Sequence, residues 1–131
     1  MFANTQRGGL DHAFADVCLK TDETEARPVP YPNLSHGGMG VPAVYNVLIS
    51  GAAAHNLSTT ILLSDGDVEE NALGIVSRTS LGPSRHVTGA TSVLIGGMPA
   101  TRLASLSLQN AGNAVGARIS PSQTKVLLLA R

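Results

Sequence analysis

Five side chains in this sequence carry the imidazole or thiolate donors that structural zinc sites favour: His12, Cys18, His36, His55 and His86. A structural zinc site takes four tetrahedral nitrogen and sulfur donors, and closing it adds folding free energy. The five donors follow no finger-like local spacing, so any such site has to be assembled from distant parts of the chain. Each donor also has an ordinary alternative. Cys18 reads equally as a small buried hydrophobe, and His36 as an exposed loop imidazole. His55 falls partway along an expected returning strand, and His86 falls at the entry to another. His12 reads as a surface residue.

Catalytic readings find less support. The glycines of "HGGMG", His36 to Gly40, suit an oxyanion loop, but no G-x-S-x-G elbow accompanies them. Ser84 and His86 stand two residues apart on an expected strand, without the orienting carboxylate of a triad. No H-E-x-x-H occurs. "DGDVEEN", Asp65 to Asn71, lacks the alternating ligands and terminal Glu of a calcium loop and reads as a solvated turn. The expectation is a protein that is not an enzyme. A small metal-dependent enzyme stands as one alternative class, and a metal-free adaptor for secreted effectors as another.

The elements that must position these donors are β-strands. The 131 residues fit one domain, 1–131, and 43% of them are hydrophobic. Only four are aromatic: Phe2, Phe14, Tyr31 and Tyr45. A core of Val, Leu, Ile and Ala buries less area per side chain, so help from a metal, an oligomer or a partner is expected. Nine basic residues balance nine acidic ones, which leaves no cationic patch for nucleic acid. A single cysteine excludes an internal disulfide. "MFANTQRGGL" lacks the apolar stretch of a signal peptide, and no run is long enough to span a membrane. The expected location is the cytoplasm, with any exit by a route that reads no N-terminal signal.

Along the chain, residues 1–40 read as irregular, with "TDETEARPVPYPN" as an extended proline-rich connector. "AVYNVLIS" reads as a strand, turned at Gly51 and returned by "AAAHNLSTTILLS". "VEENAL" could make one helical turn, and "GIVSRTS" reads as strand. "QNAGNAVGA", Gln109 to Ala117, reads as a loop, and "RISPSQTKVLLLAR" as the last strand. Laid on a 46-residue offset, Val41/Val87, Val47/Val93, Leu48/Leu94, Ile49/Ile95, Gly51/Gly97, Ala54/Ala100 and Leu57/Leu103 are identical pairs, and "KVLLLA" makes a partial third copy. The fold expected is all-β, built of pseudo-threefold hairpin repeats in which Val47–Ile49, Val93–Ile95 and Val126–Leu128 are equivalent.

"GGMPATR" resembles the motif that names the PAAR proteins, here Pro99, Ala100, Thr101 and Arg102. The stretch from His36 to Val47 is similar to the lead-in of that family's first hairpin. "DVC" at Asp16–Cys18 followed by "PVPYPN" at Pro28–Asn33 resembles the PAAR-like branch. The resemblance implies a small conical β-domain that sharpens the tip of a type VI secretion spike, its base seated on the trimeric VgrG protein as one copy per trimer. It implies secretion through that apparatus, a bare tip without effector extension, and effectors carried non-covalently. It also implies Zn2+ near the apex, held by three His and one Cys. Cys18, His36, His55 and His86 are the ligands that this sequence offers, since the family's late Cys-Gly has no counterpart in "QNAGNAVGA".

Overall fold

The computed structural model describes residues 1–21, 25–66 and 72–129. Twelve strands occur among them: β1 (Leu10–Thr21), β2 (Ala26–His36), β3 (Gly40–Val41), β4 (Val44–Ile49), β5 (Ala52–Ala54), β6 (Thr60–Ile61), β7 (Ala72–Gly74), β8 (Ser84–His86), β9 (Ala90–Ile95), β10 (Met98–Ala100), β11 (Leu106–Gln109) and β12 (Ala114–Ser120). One 3-10 turn, Gly37–Met39, separates β2 from β3. No α-helix occurs among the described residues, and the protein is all-β.

The 46-residue offset is a structural repeat. In the β4–β5 hairpin Val44, Leu48 and Ile49 face Ala54, Ala53 and Ala52. In the β9–β10 hairpin Ala90, Leu94 and Ile95 face Ala100, Pro99 and Met98, each position 46 residues on. Both turns place two successive residues at positive φ, Ser50 (53°) and Gly51 (79°) in one, Gly96 (61°) and Gly97 (84°) in the other. That geometry matches the strand twist and favours glycine. The third copy is assembled from the two ends of the chain. Phe2 pairs with Leu127, the Ala3 amide donates to the Val126 carbonyl at 3.1 Å, and Leu128 N donates to Met1 O at 2.7 Å. Leu127 thus faces Phe2 as Leu48 faces Ala53 and Leu94 faces Pro99.

Three strands then meet in a cycle. Thr5 bridges Ala54, Asn56 bridges Ala100, and Arg102 bridges Ala3. Asn4 N donates to Thr101 O (2.9 Å), Thr101 N to His55 O (3.5 Å) and His55 N to Asn4 O (3.0 Å). The next layer repeats it, with Gln6 N on Ala53 O, Leu57 N on Pro99 O and Leu103 N on Phe2 O. Three backbones can converge this closely because Ala3, Ala54 and Ala100 stand where they meet. These alanines pack with Ile49, Leu128, Val47, Val93 and Ile95 as the apolar core.

The remaining strands form one sheet in the order β2-β1-β12-β11-β8-β6-β3, with β7 on the far half of β1. Its two ends are drawn together where Leu34 of β2 and Asp65 exchange both backbone hydrogen bonds (2.6 and 2.7 Å). The sheet is patterned the unusual way round. Its buried positions hold Asp11, Asp16, Asn33, Ser35, Ser84, His86, Ser107, Gln109 and Arg118 beside the smaller apolar set Ala13, Cys18, Ile61 and Ala114, while Phe14, Leu19, Leu106, Val115 and Ile119 are exposed.

Five local expectations are corrected. The returning strand expected over "AAAHNLSTTILLS" is two short strands, β5 and β6, in different sheets, with His55 between them. Residues 1–40 carry the two longest strands, not irregular chain: β1 and β2 pair from Leu10↔His36 to Thr21↔Ala26. The prolines survive there because Pro28, Pro30 and Pro32 alternate. Leu34 turns its amide away from β1 towards Asp65, so the prolines, at the same parity, have their missing N–H groups on the side not paired with β1. "GIVSRTS" is a turn after Gly74, because β7 already ends there. Gln109 and Ala114–Ala117 belong to β11 and β12, with only the intervening residues as turn. After Ser120 the chain runs irregularly, apart from the Leu127 bridge, because Pro121 ends the ladder. Val68 to Asn71 of the expected helical turn at "VEENAL", and most of "DGDVEEN", lie outside the described residues, while Ala72 and Leu73 belong to β7.

Candidate functional site

The four expected metal ligands occupy separate settings. Cys18 is buried on β1, opposite Val29 of β2 and Gly74 of β7. His36 ends β2, exposed, opposite Leu10. His55 is buried in the threefold cycle, its Nε2 2.7 Å from Gln6 Oε1. His86 is buried on β8, its Nε2 3.0 Å from Asp11 Oδ1. His12 is half-buried with its ring edge-on to Phe14, centroids 4.4 Å apart. Among the described residues no three His, Cys, Asp or Glu side chains converge as a group able to hold a metal ion. The donor set that the family implies does not fit a single centre in this fold.

What the sheet does bring together is an ion cluster. Asp11 and Arg118 face each other across β1 and β12, and Arg118 Nε donates to Asp11 Oδ1 at 2.6 Å. Ser35, opposite Asp11 on β2, donates to Oδ2 at 3.1 Å and stands 3.1 Å from Ser84 Oγ. His86 adds its bond from β8. An ionised carboxylate only accepts, so that imidazole carries its proton on Nε2. Burial raises the Asp11 pKa, but the His86 hydrogen bond and the charges of His86 and Arg118 outweigh it and hold the group down at about 2. For His55, burial comes first and the Arg118 and His86 charges add to it, pushing the imidazole down to about 4.

Glycines make room for the guanidinium. A Cβ at Gly9 or Gly37 would run into Arg118, and one at Gly40 would lie 2.9 Å from the His55 ring. The second residue of "HGGMG" is therefore glycine because a Cβ there would strike the Gly8 carbonyl first and then the guanidinium of Arg118, 81 positions further on. A second buried hub accounts for the "DVC" and "PVPYPN" segments. Asp16 accepts from Asn33 Nδ2 (3.2 Å), from Asn110 Nδ2 (3.0 Å) and from Asn113 Nδ2. Ser84 and His86, which read as a tempting pair, bond instead to Ser35 and Asp11.

Asp11 and Arg118 were not visible as functional residues in the sequence. Only strand register pairs them across 107 positions, and the one local signal is glycine at Gly9 and Gly37. On the surface, Leu48, Leu94 and Leu127, equivalent in the three copies, are 65%, 61% and 52% exposed. The "PATR" motif is the second copy's contribution to the cycle: Ala100 enters the core and Arg102 bridges Ala3.

No curated protein and no solved structure matches the chain. No helix among the described residues is long and apolar enough to cross a membrane. The model of the toxin PAAR-like domain family matches residues 9–116, a span that holds both complete hairpins, the "DVC" and "PVPYPN" segments and most of the closed sheet. The chain belongs to the toxin PAAR-like domain family, and with it to the proteins of the type VI secretion spike and its effectors.

Proposed function

We propose that this protein caps the trimeric VgrG spike as a piercing tip, one copy per trimer, through the end that carries the three hairpins. The observation that supports this most directly is the threefold cycle of backbone bonds with an exposed leucine at the same position of each copy. A single asymmetric chain that presents three near-identical edges can satisfy three identical subunits at once. A partner of lower symmetry would leave one or two of those leucines in water. The role is structural and calls on no reacting group. The protein is assembled in the cytoplasm and leaves with the spike, carrying effectors non-covalently.

The test is copurification with the spike trimer of the same genome and native mass spectrometry of the complex. One copy per three spike chains is expected. Burying a leucine is worth about 1.5–3 kcal/mol, so Leu48→Asp, Leu94→Asp and Leu127→Asp together should abolish capture while the melting temperature of the free protein holds. A stoichiometry of three copies per trimer, or undiminished capture of the triple variant, refutes the reading.

A further inference from the structure

We infer that the Arg118 guanidinium is the resident cation of this fold and that the closed sheet is pinned by it without a metal ion. This concerns how the interior is held and stands apart from what the hairpin end docks onto. The inner face of the sheet is polar and buries two carboxylates: Asp16 is met by the amides of Asn33, Asn110 and Asn113, whereas Asp11 is met by a cation, which offsets the cost of burying its charge. A metal would draw on Asp11, His86 and His55, the acid and imidazoles nearest that interior. Each is already committed. Asp11 faces Arg118 through Oδ1 at 2.6 Å and Oδ2 at 3.5 Å. His86 donates its Nε2 proton to the same carboxylate, and His55 Nε2 bonds to Gln6. Cys18, the one thiolate donor in the chain, sits further along β1 between β2 and β7.

The guanidinium is housed as a designed component. Arg118 is 1% exposed, Nη1 donates to the Gly8 carbonyl at 3.2 Å, and Gly9 and Gly37 lack the Cβ atoms that would displace it. Through Asp11, Ser35, Ser84 and His86 it ties together β12, β1, β2 and β8. A tetrahedral ion links four donors at one point. A planar fork with five N–H donors can do the same for strands in register.

The full chain, purified without added metal, should contain no stoichiometric zinc or other transition metal by elemental analysis. Its melting curve should not move with chelator or with added zinc. Arg118→Met and Asp11→Asn should each lower the melting temperature by roughly 10 °C or more, because each leaves a buried partner unpaired. The double variant Asp11→Leu/Arg118→Met should recover part of that loss. Cys18→Ala, which removes the only thiol and leaves the ion cluster intact, should cost far less than either single change. Stoichiometric zinc, a chelator-sensitive melt, or an Asp11→Asn protein as stable as the parent overturns the inference. Should Arg118→Met fail to fold, the metal content and chelator response of the unaltered chain still decide it.

Discussion

Replacing Gln123 by Ala should unclasp one third of the hairpin end. In the first two copies a covalent turn joins the paired strands, whereas in the third the partners come from opposite ends of the chain. Ala90 to Gln123 is 33 residues, as is Leu94 to Leu127, so Gln123 holds the position that is Val44 and Ala90 elsewhere. Its side chain does the work of the missing turn. Nε2 donates to Ala3 O (3.0 Å) and Val126 O (2.9 Å), and Oε1 accepts from Lys125 N and Val126 N, both at 2.8 Å. A net hydrogen bond is worth about 1 kcal/mol, and more where a buried group is left unsatisfied. Lys125 is exposed and can turn to water, and Ala3 O keeps Ser122 Oγ at 3.4 Å. The net cost is therefore about 2–3 kcal/mol, a fall of about 1–2 M in the urea midpoint. Hydrogen exchange at the Ala3 and Leu128 amides should accelerate before the sheet is affected. Gln123→Glu should be no better, because both donors become acceptors facing carbonyls. An unmoved midpoint in Gln123→Ala, or a Glu variant matching the parent, refutes the clasp.

Acid should destabilise the protein in two steps. The unfolded chain takes up a proton at His55 near pH 6.5 and the fold only at about 4, so stability present above 6.5 falls by about 3 kcal/mol on the way down. Asp11 repeats the sign between 3.8 and about 2, worth about 2 kcal/mol more. A melting temperature flat from pH 7 to pH 4 contradicts the first step, and His55→Gln should remove it. Gly37→Ala should cost about 1–3 kcal/mol by chemical denaturation, since its Cβ would press on the Gly8 carbonyl and Arg118 Nη2. Gly38→Ala, whose nearest neighbour would be Gln6 O at 3.6 Å, should be close to neutral, and equal effects at the two sites would sink that account.

The hairpin repeat was legible in the sequence because strand periodicity and turn glycines are local signals. "VLIS-GAAA" and "VLIG-GMPA" announce their own turns, and the offset of 46 carries directly into the pairing register. The N-terminal strands were not legible. Prolines argue against a strand unless their parity relative to a single pairing partner is known, and the β1–β2 pairing supplies that parity. The ion cluster was hidden for a related reason. Asp11, Ser35, His86 and Arg118 occupy alternating strand positions that would normally be read as the wet face. Polarity alone does not reveal that the sheet closes over them. The histidines drew attention as metal donors, whereas Arg118 offered no comparable local signal.

Symmetry separates two sets of exposed apolar side chains. Phe14, Leu19, Leu106, Val115 and Ile119 are exposed along the outside of the closed sheet, on strands that have no repeat among them. Leu48, Leu94 and Leu127 recur at one position of three copies, and a substitution at any one of them breaks a relation that the others preserve. The third copy makes the point more sharply, since its strands come from opposite ends of the chain and are held by the amide of Gln123. A fold that needed only an apolar core could have left that edge ragged. Completing it with a dedicated buried side chain keeps all three copies of the edge in register at that end of the molecule.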